Sequence, residues 1–217
     1  MKHIYFLRHG QTLFNKKMRH QYASTPLSAE GREQARAIAE KIKELHIDYI
    51  LSSPYERAKE TAELVAEATG TTSIEYSDLL VELRRPKELH GVSWFNPKSV
   101  WIMGLLYLFA SHKNWHYSDE ENLEEFRLRS KQALDFIASV QGKNILVVTH
   151  AGLMSNFVSS ITHDGLDSLR EYKRALWKTL RIGNCCFVSA KWLSQGEYGE
   201  TLDGTWTIKE GATCPFK

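Results

Sequence analysis

Arg8, His9 and Gly10 stand directly after the apolar run Ile4-Tyr5-Phe6-Leu7. A guanidinium reads phosphate oxygens in a bidentate manner, and a neutral imidazole is a nucleophile. Together at the end of a strand they point to phosphoryl transfer through a phosphohistidine. Gly10 lets the backbone turn where a Cβ would clash. A tripeptide is a short signal, equally readable as a surface arginine and a capping histidine until partners are found. Two further strand ends supply partners. Ile47 to Leu51 leads into Ser52-Ser53-Pro54, with Arg57 following at the start of a helix. Ile145-Leu146-Val147-Val148-Thr149, β-branched and uninterrupted, ends in His150-Ala151-Gly152. Three strands thus deliver cationic or ionisable side chains to the carboxyl edge of a parallel sheet, where open α/β folds bind ligands. Helix N-termini behind them add free backbone N–H groups and the positive end of the dipole. A dianionic phosphate is the natural occupant.

These elements, in this order, closely resemble the histidine phosphatase superfamily, which includes cofactor-dependent phosphoglycerate mutase. The matching stretches are Leu7-Arg8-His9-Gly10-Gln11-Thr12 with Asn15, and Pro26-Leu27-Ser28 with Gly31 and Gln34-Ala35. They continue with Ser52-Ser53-Pro54-Tyr55-Glu56-Arg57-Ala58-Lys59-Glu60-Thr61-Ala62, Glu82, and Val147-Val148-Thr149-His150. The resemblance implies His9 as nucleophile, with Arg8, Arg57 and His150 around the transferred group. It adds Asn15 as a neutral donor, the backbone N–H of Ala151 at the phosphate, and His150 held cationic by the bound anion. Glu82 follows the apolar run Leu79-Leu80-Val81, expected to bring it to a sheet edge. It is the candidate general acid, since a carboxyl beside a polyanion favours its protonated form; the alternative is a simple pair with Arg84 or Arg85. The chain departs from the family at Tyr22 and Ser24, often Gly and Asp there, and at Ala151, often Gly.

The chain has 217 residues, of which 42% are hydrophobic and 25% charged, enough for one good core. Residues 1–217 are expected to form a single domain with a cap insertion at about residues 90–117. A net charge of +2 with dispersed basic residues argues against nucleic acid. Cys185, Cys186 and Cys214 make neither a disulfide framework nor a metal-ligand spacing. Met1 to Ile4 runs straight into a strand, so no signal peptide is expected, and no run reaches the about 18 apolar residues of a membrane span. The expected setting is cytoplasmic, with a small-molecule phosphate ester as partner and a monomer or homodimer as assembly. No cofactor and no metal are expected, because arginines supply the electrostatics and no carboxylate cluster for magnesium is present.

Apolar periodicity predicts helices over Ser28 to Leu45, Tyr55 to Thr69, Asn122 to Val140 and Met154 to Ile161. A late strand is expected at Leu180-Arg181-Ile182 and Cys185 to Leu193. The alternation predicts an α/β fold, a three-layer α/β/α sandwich with a mostly parallel central sheet and an apolar cap. The segment from His90 to Tyr117 is apolar almost all round, which fits a buried helix, a lid over the pocket or a dimer face. On the lid reading Trp101 lines the pocket and selects bulky apolar leaving groups. Gln21 and Tyr22 are expected on the pocket rim, and Arg84, Arg85 and Lys87 within reach of a second anionic group, with a solvated basic turn as the alternative.

The reaction expected is metal-independent hydrolysis of small phosphate monoesters. The resemblance favours it over a mutase because the interval between Glu82 and His150 is compact and the tail from Gly211 to Lys217 is short. A catalytically inert binding module is a third reading, opposed by the complete set of His9, Arg8, Arg57, Glu82 and His150.

Overall fold

A computed structural model describes residues 1–163, 182–194 and 204–213. Six strands form one sheet in the order β3-β2-β4-β1-β5-β6. Strands β1 (Lys2–Arg8), β2 (Tyr49–Ser52), β3 (Ile74–Tyr76) and β4 (Asn144–Thr149) are parallel. Strands β5 (Phe187–Ser194) and β6 (Gly204–Thr213) run antiparallel at one side. The alternation of strand side chains separates two cores. Ile4 and Phe6 of β1, Leu51 of β2, and Ile145 and Val147 of β4 face α5 (Leu123–Ser139) and α6 (Ala151–His163). Leu7, Ile50, Leu146 and Val148 face α2 (Ala29–Ile42) and α3 (Glu56–Thr69). Both faces of the central strands are therefore covered, which is why those strands read as unbroken apolar runs.

Capping residues set the helix bounds. Ser28 accepts the Gly31 N–H at 3.0 Å, so α2 starts one residue later than predicted and ends at Ile42. Tyr55 is the N-cap of α3, and Gly70, at φ 74°, ends it. Asn122 and Glu125 form a capping box at the start of α5. Helix α6 begins at Ala151, three residues before the predicted Met154, because it starts directly off the β4 end.

Several expectations are corrected. Leu79-Leu80-Val81 is not a strand: Asp78–Leu80 is a single 3-10 turn capped by Ser77, and Glu82 reaches the site from a loop. Leu180 and Arg181 lie outside the described residues, and β5 starts at Phe187 because Cys185 takes a left-handed φ of 52°. Cys186 is disulfide-bonded although the sequence predicts no disulfide framework, whereas Cys185 is free and buried. The short β3 and the strand β6, whose Thr-Trp-Thr-Ile alternation is plain, went unpredicted. Among the described residues no helix is long and apolar enough to cross a membrane.

The cap is neither wholly buried nor wholly a lid. Its helix α4 (Pro97–Leu108) buries only Ser99 and Ile102 fully. Its lead-in pairs with the chain after the short helix α1 (Leu13–Lys16) through an Arg19–Ser93 bridge and a Trp94 N–H bond to Met18 at 2.9 Å.

The loop after β1 presses on the start of α2. A Cβ on Gly10 would collide with the Gly31 carbonyl, and one on Gly31 with the Gln11 backbone. Gly31→Ala is therefore expected to destabilise the protein by about 1–3 kcal/mol in urea melts, as overpacking does. A change within experimental error would refute this close approach.

Candidate active site

His9 follows the last residue of β1 and is buried. Its Nδ1 lies 2.7 Å from the Gly10 carbonyl, an acceptor only, so Nδ1 carries the hydrogen and Nε2 holds the lone pair. The Arg57 Nε–H donates to that lone pair at 3.2 Å. Burial, then the charges of Arg57 and Arg8, hold the His9 pKa well below its ordinary value, which keeps the ring neutral and nucleophilic. The backbone beneath it is fixed: Thr149 accepts the His9 N–H at 3.0 Å, and Asn184 donates to the His9 carbonyl at 3.1 Å. Thr61 accepts the Gly10 N–H at 3.1 Å.

His150 follows β4, its ring centroid 5.2 Å from that of His9. Burial and the nearby guanidinium of Arg57 push its pKa well below the usual value, so the cationic form expected with substrate requires a bound anion to overcome both. Its Nε2 lies 2.9 Å from Ser53 Oγ, and its buried Nδ1 has no partner among the described residues. Tyr55 packs on the His150 ring at 5.3 Å and on the Arg57 guanidinium at 5.1 Å.

Arg57 is buried, and burial lowers its pKa to about 10. It donates to the Tyr22 carbonyl at 3.0 Å. Arg8 donates to the Ile182 carbonyl, and its buried Nε has no partner among the described residues. Among the described residues neither arginine forms an ion pair, so both remain open to an anion. Asn15 uses its Oδ1 on the Thr12 N–H and hydroxyl, leaving its amide N–H groups for a ligand.

Glu82 accepts the Leu83 N–H at 2.9 Å and the Gly152 N–H at 3.1 Å, the latter on the first turn of α6. A Cβ on Gly152 would collide with the Glu82 carboxylate, so the approach requires glycine. Arg129 of α5 holds the loop that carries Glu82. It donates to the carbonyls of Leu79 and Val81 at 2.9 Å each and pairs with Glu121 at 2.7 Å. Glu82 is thus not paired with Arg84 or Arg85.

A cavity of about 820 Å³ opens over these groups. Arg8, His9, Asn15, Gln21, Arg57, Glu82, Arg84, Arg85 and Ala151 of the sequence-derived set line it. His150 lies behind that wall. Two residues are corrected. Trp101 is 67% exposed and absent from the wall, because it sits on the outward face of α4; Trp94, Ser99 and Met103 of the cap line the cavity instead. The Tyr22 side chain is also outside the wall, its hydroxyl donating to the His90 carbonyl at 3.2 Å; its role is the backbone carbonyl that holds Arg57. Ser53, Asn184 and Arg129 went unread. Arg129 alone left a signal, a charge three residues after Phe126 on the apolar stripe of α5. Among the described residues no group of three or more His, Cys, Asp or Glu side chains is placed to hold a metal ion.

The sequence profile of the histidine phosphatase superfamily (branch 1) matches residues 4–196. A protein of Escherichia coli O139:H28 named probable phosphoglycerate mutase GpmB is 30% identical over 210 residues, 93% of this chain and 92% of its own. A mycobacterial glucosyl-3-phosphoglycerate phosphatase solved with VO3 shares the fold at a TM-score of 0.73 and 22% identity, over 97% of this chain and 99% of that one. A putative alpha-ribazole-5'-P phosphatase of Escherichia coli K-12 does so at 0.71 and 20% identity, over 96% of both chains.

Because His9 and His150 are held neutral in the fold and regain a pKa near 6.5 when unfolded, the unfolded chain binds more protons below that pH. Stability is expected to fall as pH drops from 6.5 toward 5, by about 1.4 kcal/mol per pH unit for each histidine still neutral in the fold. His20, lowered to about 4, acts in the same direction. Urea melts at pH 7, 6 and 5 measure this, and equal stability at all three contradicts the assignment.

Proposed function

This chain belongs to the histidine phosphatase superfamily, and from that membership we propose that it hydrolyses phosphate monoesters without a metal, through a phosphohistidine on His9. The observation that carries this reading is the His9 ring, locked by the Gly10 carbonyl so that its Nε2 lone pair meets the Arg57 guanidinium at the cavity.

The steps follow from these groups. His9 Nε2 attacks phosphorus in line, the N–P bond forms and the bond to the ester oxygen breaks. The Arg57 Nε–H passes from Nε2 to a phosphoryl oxygen, and Arg8, Asn15 and the Ala151 N–H offset charge on the remaining oxygens. Glu82 gives a proton to the departing alkoxide, then takes one from the water that attacks phosphorus and releases His9.

The alcohol part meets a mixed wall. Arg84 and Arg85 have no side-chain partner among the described residues and suit a second anionic group. Trp94 and Met103 of the cap supply apolar surface. A mutase is the second reading, supported by the name of the 30% identical relative. In it the phosphohistidine passes to a second hydroxyl instead of water. A phosphate-ester screen in chelator, run with and without 3-phosphoglycerate and a bisphosphoglycerate primer, separates the two.

Two expectations test this reading. His9→Ala should lower turnover of an aryl phosphate by about 10⁴-fold or more and leave the melting curve intact. Glu82→Gln should slow single-turnover alcohol release from alkyl phosphates by about 10²–10⁴-fold yet spare the nitrophenolate burst, because nitrophenolate departs unprotonated, while the water step slows for both. Full activity in the first variant, or equal losses of release in the second, refutes the assigned role. In the cap, Met103→Ala is expected to raise KM for naphthyl phosphate by about tenfold, whereas Trp101→Ala leaves it unchanged. The reverse result would place the apolar contact on the outer face of α4.

A further inference from the structure

We infer that Ser53 is a positioning residue that holds His150 in one neutral tautomer, with the hydrogen on Nδ1, so that the ring presents a donor beside His9. Ser53 stands at the end of β2 and is fully buried. Its own N–H is fixed on the Val148 carbonyl at 3.0 Å. Two groups lie within hydrogen-bond reach of its hydroxyl oxygen: the Tyr55 backbone nitrogen at 3.3 Å and His150 Nε2 at 2.9 Å.

A hydroxyl has one hydrogen to donate and two lone pairs to accept with. The Tyr55 N–H can only donate, so it takes one lone pair. The Ser53 hydrogen then needs an acceptor, and His150 Nε2 is the one within reach among the described residues. Nε2 therefore holds a lone pair, and in a neutral imidazole the hydrogen sits on Nδ1. The opposite tautomer would leave two buried groups unpaired, the Ser53 hydrogen and an Nδ1 lone pair, instead of one. Burial and the charge of Arg57 disfavour the doubly protonated ring as well.

The Nδ1–H that remains is buried and, among the described residues, without a partner. An orphaned donor beside the nucleophile suits the oxygens of a phosphoryl group carried by His9. An orphaned lone pair there would repel them. The edge-on ring of Tyr55 fixes the imidazole plane, so the hydroxyl has only the tautomer left to select.

The effect on rate rests on the phosphohistidine reading, but the tautomer does not. The full chain labelled with ¹⁵N-histidine, with His150 assigned by loss of its signals in His150→Gln, reports the tautomer through long-range ¹H–¹⁵N correlations. In the wild type Nδ1 is expected to give the protonated, pyrrole-type shift and Nε2 the unprotonated one. Ser53→Ala should populate the other form. It should also lower kcat/KM for an aryl phosphate by about 10–100-fold, yet by less than about twofold when added to His150→Ala. A hydrogen on Nε2 in the wild type overturns the proposal. So does an equal loss in both backgrounds, which would mean that Ser53 supports the fold and not the imidazole. If the wild type hydrolyses no phosphate ester, the enzymatic reading fails separately, and the wild-type tautomer still decides this one.

Discussion

Two guanidinium groups, Arg57 buried and Arg8 half-buried, with no carboxylate against them among the described residues, are the constraint on which this molecule turns. A buried charge costs several kcal/mol unless it is paired or well hydrogen-bonded. Arg57 rests on the Tyr22 carbonyl and the His9 lone pair, and Arg8 on the Ile182 carbonyl. The carboxylate felt by both is Glu82, which forms no ion pair with either and is already held by two backbone N–H groups. Arg129 shows the other solution. It is buried too, but Glu121 meets it at 2.7 Å and three carbonyls take its remaining hydrogens. Arg129 is finished as a structural group, whereas among the described residues Arg8 and Arg57 have no carboxylate to complete them.

Burial, and then the same two cations, set the state of the imidazoles: removed from water and next to Arg57 and Arg8, neither His9 nor His150 holds a second proton easily. Neutral rings in turn need their single hydrogens placed. The Gly10 carbonyl does this for His9. Electrostatics thus keeps a lone pair on the His9 ring, and one backbone carbonyl decides which nitrogen holds it.

Close backbone approach makes the rest possible. Gly10 against Gly31 allows the β1 turn to sit on the start of α2, and Gly152 allows the Glu82 carboxylate to sit on the start of α6. The cap joins this frame through main-chain pairing near Arg19 and Ser93 and through the 2.8 Å contact of His20 with Ser99. Its inner residues therefore reach the cavity from a segment tied to the chain that holds Arg57. Its outer residues, Phe95, Val100, Trp101 and Leu108, stay exposed.

The amino-acid sequence alone carried the α/β class, the central strands, His9 and His150 as strand-end groups, and Arg57 at the start of the helix after a strand end. Their signals are local: an uninterrupted β-branched run, a turn residue, a cationic side chain after it. What the sequence could not carry is what depends on direction and on distant partners. Which face of α4 turns inward is a rotation about a helix apolar nearly all round, so periodicity could not separate Trp101 from Met103. The Glu82 loop is shaped by Arg129, 47 residues further along the chain, and read locally as a strand. The tautomer of His9 follows from one carbonyl, and the open valence of Arg8 and Arg57 from there being no carboxylate against either among the described residues. Such facts belong to three-dimensional proximity and to what surrounds each polar atom, and only the tertiary structure decides them.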